Sequence, residues 1–222
     1  MIVEDRRVTN RLLYLVRHAV HEKDPDSEAA DGNENGVLTE VGVRQAKLLG
    51  ERLREVPFEA VHHSSLRRAA QTAELLAEFL PGVPVRPSDL LRECIPMVPE
   101  RHLLTPPQVE FFDGWPQAIL DHGRAQAAAA VERFAGVRAS GRPEQPEQPE
   151  LLVSHGNLIS WFVCEALDVP RWRWLSLPLH YNCALTIILY REGRPPTLVS
   201  YNDMGHLPPS LRGTDYPDEF RV

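Results

Sequence analysis

Residues 12–19 read LLYLVRHA, a short apolar run that is followed directly by Arg17 and His18. Far along the chain, residues 151–157 read LLVSHGN, a second apolar run that leads to His155. Both runs are short, rich in strand-forming residues and followed by a turn, which predicts two buried parallel strands. Side chains at the carboxyl ends of such strands meet in one crevice. An arginine and two histidines in one crevice would suit a phosphate group.

The composition is typical of a globular protein and excludes several classes of partner. The chain has 222 residues, of which 43% are hydrophobic and 25% are charged, so it can bury a full core as one domain. The net charge of −7 argues against nucleic acid, because proteins that bind it usually carry a basic patch. No segment approaches the roughly 20 apolar residues of a membrane span, so no membrane partner is expected.

Cysteine usage and the first residues bear on the compartment. Three widely spaced cysteines, which suit neither a disulfide framework nor a zinc site, are predicted to be buried thiols in a reducing compartment: Cys94, Cys164 and Cys183. Residues 1–7 lack the apolar core of a secretory signal peptide. Together these observations predict a cytoplasmic protein.

Strand and helix patterns alternate along the chain. Strands are predicted at residues 12–16, 58–63, 83–86, 151–154, 184–190 and 197–201, and helices at 39–55, 66–80, 115–137 and 158–167. This alternation predicts a layered α/β fold with a mainly parallel sheet. The last two strands read as a hairpin around Glu192-Gly193, which adds antiparallel pairing.

The whole chain, residues 1–222, is predicted to form one domain. It contains an inserted, substrate-shaping segment over about residues 88–130, where prolines are scattered and periodicity is weak up to Gln108. The acidic residues 21–36 and the low-complexity residues 138–150 are predicted to be surface loops. Three aromatic residues of the insertion either line the pocket or belong to the core, with composition favouring the core: Phe111, Phe112 and Trp115.

Phosphoryl transfer to an imidazole has chemical requirements that several motifs meet. It needs a neutral histidine in line with phosphorus, cations for the phosphate oxygens, and an acid that protonates the leaving oxygen. Arg17-His18 supplies a guanidinium beside a candidate nucleophile, although a single histidine at a strand end is more often structural. Residues 64–73 read SSLRRAAQTA and lie at a predicted strand-to-helix junction, where free N–H groups and first-turn arginines favour anions. Residues 154–157 form a second junction of this kind.

Four segments, in this order, resemble the signatures of the histidine phosphatase (phosphoglycerate mutase-like) superfamily, branch 1. Residues 17–19 resemble its Arg-His-Gly motif, and residues 38–46 resemble its Leu-Thr-x-x-Gly-x-x-Gln-Ala helix start. Residues 64–73 resemble Ser-Pro-Leu-x-Arg-Ala-x-Gln-Thr-Ala, and residues 153–156 resemble the second histidine motif. The resemblance covers nearly the whole chain. Three further segments are similar to the mitochondrial serine/threonine phosphatase branch of the superfamily: residues 90–93, 163–167 and 205–209.

The resemblance implies a three-layer α/β/α sandwich and a phosphohistidine mechanism. His18 would be the nucleophile, and the phosphoryl oxygens would be held by Arg17, Arg68 and His155. Arg68 matches the motif arginine because it directly precedes Ala69, and Arg67 is expected to face solvent.

Two carboxyl groups compete for the role of general acid. Glu93 fits the Leu-x-Glu pattern that follows the third strand in the family. Residues 100–102 read ERH and resemble the start of a motif of the true mutases, which makes Glu100 the alternative. The spacing from the preceding strand favours Glu93.

Other polar residues near the motifs have open roles. His21 either contacts the phosphate or is an exposed loop residue, and Asn157 either donates to the phosphate or caps the helix. His62 and His63 are interpreted as strand-end structure rather than ligands.

The predicted function is a phosphomonoester hydrolase without a metal or other cofactor, because arginines supply the charge that a metal would otherwise provide. Its substrate is a phosphorylated small molecule or a phosphoprotein, and the sequence does not specify the oligomeric state. The alternatives are a phosphoglycerate mutase-type isomerase and a catalytically silent phosphate-binding module. Leu103-Leu104 in place of Tyr-Gly disfavours the mutase, and the presence of all the catalytic groups disfavours the silent module.

Overall fold

The computed structural model describes residues 10–24, 35–137, 148–177 and 180–213. Within these residues the strands are β1 Asn10–Arg17, β2 Ala60–Ser64, β3 Val85–Ser88, β4 Glu150–Ser154, β5 Leu185–Arg191 and β6 Arg194–Asp203. The α-helices are α1 Glu40–Leu53, α2 Arg67–Ala77, α3 Pro106–Asp113, α4 Gln117–Phe134 and α5 Gly156–Leu167. Short 3-10 helices lie at Asp89–Leu91, Arg101–Leu103, Arg171–Ser176 and Pro209–Leu211.

The strands form one sheet in the order β3-β2-β4-β1-β5-β6. The first four strands run parallel to one another, β5 pairs with β1 antiparallel, and β6 pairs with β5 antiparallel. This confirms the predicted mainly parallel sheet with an antiparallel edge. Because β1 and β4 are neighbours, Arg17-His18 and Ser154-His155 lie side by side at the ends of these strands.

Apolar side chains and helices cover both faces of the sheet. In β1, Leu13 and Leu15 pack on the face that carries α4 and α5, whereas Val16 packs on the face that carries α1 and α2. In β4, Leu152 packs on the face that carries α4 and α5, and Val153 packs on the face that carries α1 and α2. The alternation follows from the period of two along a strand. The predicted three-layer α/β/α arrangement is therefore confirmed.

The start of α1 is held close to the chain that follows His18. Thr39 caps the helix as predicted, since its Oγ1 accepts a hydrogen bond from the Gly42 N–H at 3.1 Å. A Cβ atom on Gly42 would lie 2.0 Å from the Val20 carbonyl oxygen, so only glycine permits this approach.

The inserted segment is more regular than the sequence predicted. We expected irregular structure up to Gln108, but α3 begins at Pro106. Thr105 and Gln108 form a capping box, and proline suits the first helical position because its missing N–H needs no partner there. α4 is shorter than predicted at both ends, and the 3-10 helix Arg171–Ser176 was not predicted at all.

Two predicted loops lie partly outside the described residues, namely 25–34 of the acidic loop and 138–147 of the polar loop. The prediction that Glu150 is a loop residue is wrong, because it begins β4 and is buried against Arg11 and His62. None of the helices within the described residues has both the length and the apolar character needed to cross a membrane.

Candidate active site

The ends of β1 and β4 bring His18 and His155 together. Arg17 pairs with Ser154 across the two strands, and the His18 N–H donates to the Ser154 carbonyl at 3.0 Å. The centroids of the two imidazole rings are 5.0 Å apart, and both side chains are buried. The crevice predicted from the strand ends therefore exists.

Two hydrogen bonds fix the tautomer of His18. Its Nδ1 lies 2.8 Å from the Ala19 carbonyl oxygen, which can only accept, so Nδ1 carries the proton. Its Nε2 then holds a lone pair, and the Arg68 Nε–H donates to it at 3.2 Å. Burial, followed by the effects of His155 and two nearby arginines, lowers the pKa of His18 well below its usual value. His18 is thus neutral, with a nucleophilic nitrogen directed at a guanidinium.

His155 has the opposite tautomer. The Arg68 Nη2 group, which can only donate, lies 3.2 Å from Nδ1, so Nδ1 is the acceptor. The proton on Nε2 is then donated to Ser64 Oγ at 2.9 Å. Burial and the neighbouring arginines lower the pKa of His155 well below its usual value. Arg68 therefore bridges the two histidines and fixes both rings.

Cationic side chains surround the histidine pair. Arg68 is in the first turn of α2 and only 3% exposed, while Arg67 is exposed, as the motif register predicted. Arg17 donates from Nη1 to the His180 carbonyl at 2.8 Å, which anchors its guanidinium next to the site. The burial of Arg68 beside two neutral histidines is the arrangement expected of an anion site.

Glu93 lies at the same site, two residues after the end of the 3-10 helix Asp89–Leu91. Ser154 Oγ donates to the Leu91 carbonyl at 2.9 Å and so ties this segment to the end of β4. The carboxylate accepts the backbone N–H groups of Cys94, at 3.2 Å, and Asn157. Burial raises the pKa of Glu93 to about 7, although the nearby arginines act in the opposite direction. At neutral pH this group can both give and take a proton.

The structure separates the two candidates for general acid. Glu100 is exposed and its carboxylate lies 3.3 Å from the exposed His102 ring. It takes no part in the cluster of His18, His155 and Arg68.

The structure places His21 and Asn157 at the edge of the cluster. The His21 ring packs edge-on against His18, with centroids 4.9 Å apart, and its backbone bridges to Leu38. Asn157 does not cap α5, because the N-cap is His155. Its side-chain amide donates to the Cys94 carbonyl at 3.2 Å, so it braces the Glu93 segment. Substrate binding by either residue stays a prediction.

Sequence reasoning missed three side chains that hold the backbone around His18. Thr72 Oγ1 accepts the Ala19 N–H at 3.0 Å and donates to the Arg68 carbonyl at 2.7 Å. Gln45 accepts the Val20 N–H, and the Asn182 amide donates to the His18 carbonyl at 2.7 Å. A signal for the first two existed: Thr72 and Gln45 are polar residues on the buried faces of α2 and α1.

His62 and His63 are structural, as predicted. His62 Nε2 lies 3.0 Å from a carboxylate oxygen of Glu150, and His63 Nδ1 lies 2.8 Å from the Ser64 carbonyl oxygen. Among the described residues, no group of three or more His, Cys, Asp and Glu side chains could hold a metal ion.

A cavity of about 510 Å³ adjoins the site. Glu93 and Asn157 contribute to its wall, as do Phe111 and Trp115 from the inserted segment. The prediction that the three aromatics are core is correct for Phe112, which is buried, but wrong for Phe111, which is 52% exposed. Phe111 is exposed because α3 presents it to the cavity while the adjacent residue packs inward.

Comparison with known proteins gives a consistent result. The family profile of the histidine phosphatase superfamily (branch 1) matches residues 13–204. The mitochondrial serine/threonine-protein phosphatase Pgam5 of Caenorhabditis briggsae is 31% identical over 216 residues, which are 95% of this chain and 69% of that protein. The human mitochondrial serine/threonine-protein phosphatase PGAM5 is 33% identical over 201 residues, which are 90% of this chain and 64% of that protein.

The chain thus spans about two thirds of the length of these curated relatives. Among solved structures, YhfR of Bacillus stearothermophilus superposes with a TM-score of 0.65 at 24% identity and covers 88% of this chain and 98% of its own. This match supports the fold.

The prediction of a cytoplasmic location is wrong by this comparison, because the curated relatives are named as mitochondrial proteins. The prediction of buried thiols holds for Cys164 and Cys183, whereas Cys94 is half-buried. Free cysteines indicate a reducing environment, and that property does not distinguish the cytosol from other reducing compartments.

Proposed function

This chain belongs to branch 1 of the histidine phosphatase superfamily, and we propose that, like its curated relatives that are named as phosphatases, it hydrolyses phosphate monoesters, and that it does so through a phosphohistidine on His18. The observation that carries the proposal is the hydrogen bonding of His18. Its Nδ1 proton is held by the Ala19 carbonyl, and its Nε2 lone pair is directed toward Arg68. A neutral imidazole in a cationic pocket is what nucleophilic attack on a phosphate requires.

In the first step, the Nε2 lone pair of His18 attacks phosphorus and the bond from phosphorus to the leaving oxygen breaks. Glu93 gives its proton to that oxygen and becomes a carboxylate. The remaining phosphoryl oxygens are held by Arg17, Arg68 and His155. A phosphate between Arg68 and His155 favours the protonated form of His155, whose Nδ1 then donates to it.

In the second step, water attacks the phosphorus atom of phosphohistidine. The Glu93 carboxylate takes a proton from the water, the bond from nitrogen to phosphorus breaks, and the His18 lone pair is restored. Inorganic phosphate leaves, and Glu93 is again protonated for the next cycle. The arginines supply the positive charge throughout, so the proposal includes no metal.

The test is to follow phosphate release from p-nitrophenyl phosphate and to trap the intermediate by rapid acid-free quenching and phosphohistidine detection. We expect the wild type to release phosphate, EDTA to leave the rate unchanged, and His18→Ala to abolish both turnover and the phosphohistidine signal. Equal phosphate release by wild type and His18→Ala would overturn the proposal. Loss of turnover in EDTA, restored by a divalent metal, would overturn its metal independence.

No specific observation favours the isomerase. The candidate mutase motif around Glu100 is exposed and removed from the cluster. Substrates are proposed to be phosphorylated small molecules or phosphoproteins, the latter because the relatives are named as serine/threonine-protein phosphatases. Interconversion of 2- and 3-phosphoglycerate faster than phosphate release would favour the isomerase instead.

A further inference from the structure

The cavity beside Glu93 lies where a leaving group would have to go. Glu93 and Asn157 are common to the cavity wall and to the histidine cluster. If Glu93 is the general acid, the leaving oxygen lies within hydrogen-bond reach of its carboxyl group. The rest of the leaving group then continues past Glu93, away from the phosphate, and into this cavity.

Besides Glu93 and Asn157, the wall of the cavity has several large apolar side chains. It includes Ile95, Phe111, Trp115 and Ile119. Phe111 is 52% exposed and Ile119 is 48% exposed, so both present apolar surface that a ligand could cover. The Phe111 and Trp115 rings meet edge to face, with centroids 6.1 Å apart, and form an aromatic corner.

The two side-chain amides of the wall donate to backbone carbonyls of the protein, whereas His122, which also lines the cavity, is exposed. The Gln126 amide donates to the carbonyls of Leu90 and Arg92, the latter at 2.7 Å. The Asn157 amide donates to the Cys94 carbonyl. A leaving group with an apolar ring would bury part of the surface of Phe111, Trp115 and Ile119, which favours its binding here.

We propose that this cavity binds the leaving group, and that the preferred substrates are phosphate monoesters whose leaving alcohol or phenol carries an aromatic ring. The inference rests on the proposed function, since it takes Glu93 as the proton donor. A volume of about 510 Å³ fits one ring system and its substituents rather than an extended segment of chain. Binding would cover part of the exposed surface of Phe111 and Ile119.

The experiment compares two primary alkyl esters, 2-phenylethyl phosphate and glycerol 3-phosphate, so that intrinsic reactivity of the leaving group is matched. We expect wild type to prefer 2-phenylethyl phosphate by at least about tenfold in kcat/KM, since burial of one phenyl ring is worth that much or more. The double variant Phe111→Ala/Ile119→Ala should lose most of this preference through a higher KM for 2-phenylethyl phosphate. Val199→Ala, which changes an exposed apolar residue on the distant edge strand β6, is the control and should keep the preference.

Failure of this inference and failure of the proposed function give different results. Equal kcat/KM for the two esters, with turnover that depends on His18, would overturn the aromatic preference and leave the hydrolase intact. If neither ester is hydrolysed, the cavity is tested by calorimetric titration with 2-phenylethylphosphonate and methylphosphonate. Tighter binding of the aromatic phosphonate that Phe111→Ala/Ile119→Ala abolishes would support the cavity assignment, and equal binding would overturn it.

Discussion

Burial raises the pKa of Glu93 to about 7, although Arg17 and Arg68 act in the opposite direction. The two backbone N–H donors also favour the carboxylate, so desolvation outweighs all of them. The result is a group that is protonated on the acid side of pH 7 and ionised on the basic side. A proton donor for one step and an acceptor for the next needs this balance.

Glu93→Gln should lower kcat with an alkyl phosphate by about 10²- to 10⁴-fold, because the leaving alkoxide is no longer protonated. The loss should be smaller with p-nitrophenyl phosphate, whose leaving group needs little protonation. In wild type the protonated form disappears as pH rises through about 7, so kcat/KM should fall on that limb, and the limb should vanish in Glu93→Gln. Glu100→Gln is the matched control, because that carboxyl group is exposed and outside the cluster. Equal pH profiles for all three proteins would contradict the role of Glu93.

Thr72→Val should slow catalysis although Thr72 touches no reacting atom. The substitution keeps the shape of the side chain but leaves the buried Ala19 N–H without its acceptor, which costs about 1–3 kcal/mol. We expect the urea midpoint to fall and kcat to drop about tenfold as the backbone that fixes the His18 tautomer relaxes. Thr72→Ser keeps the hydroxyl and should retain both properties. A stable, fully active Thr72→Val would show that the hydrogen bond has no positioning role.

The motifs allowed the principal site residues to be predicted, but not the contacts that position them. His18, His155, Arg68 and Glu93 each follow a recognisable strand or begin a helix. Three hydrogen bonds join residues that are far apart in the chain. Thr72 is 53 positions from Ala19, Ser64 is 91 positions from His155, and Asn182 is 164 positions from His18. Such pairs depend on the strand order, which no local pattern specifies.

At the scale of elements, periodicity predicted the strands and α1, α2 and α5 because each has one strongly apolar side or surface. It failed for α3, where the buried surface reduces to Phe112 and the helix depends on its capping box. Helices of this kind are specified by their ends rather than by their faces.

Gly123→Ala should disturb the site from a distance, because α4 approaches the Glu93 segment through this glycine. A Cβ atom on Gly123 would lie 2.5 Å from the Ile95 carbonyl oxygen, and both groups belong to backbone. We expect a loss of about 1–3 kcal/mol in unfolding free energy and a lower kcat, since the segment carrying Glu93 must shift. Gly114→Ala is the control, because its Cβ would meet only ordinary contacts at 3.4 Å and beyond. If Gly123→Ala matches Gly114→Ala in the urea midpoint and in kcat, the packing argument is wrong.

At the scale of the whole molecule, the candidate active site and a buried ion pair lie at opposite ends of the same two strands. The carboxyl ends of β1 and β4 hold the histidine cluster, whereas their amino ends hold Arg11 and Glu150. β1 lies between a strand from the middle of the chain and one from near its end. For this reason we infer that the described residues form one domain rather than two, as the sequence predicts.

Arg11 and Glu150 form a buried ion pair, joined by a hydrogen bond between Glu150 and His62, that should stabilise the fold without serving catalysis. Arg11 pairs with Glu150, both about 1% exposed, and its Nη1 donates to the carbonyl of Phe134 at the end of α4.

Arg11→Met should lower the unfolding free energy by about 3–5 kcal/mol, because it leaves the Glu150 carboxylate buried without its main partner. Urea denaturation measures this loss, and kcat of the folded fraction should stay within about twofold because the group lies at the opposite end of the strands. The triple variant Arg11→Met/Glu150→Leu/His62→Leu removes the ion pair together with the imidazole bonded to it and should recover most of the stability. If the triple variant is less stable than Arg11→Met, the cost lies in lost packing and bonding of the three side chains rather than in an uncompensated charge, and the electrostatic account fails.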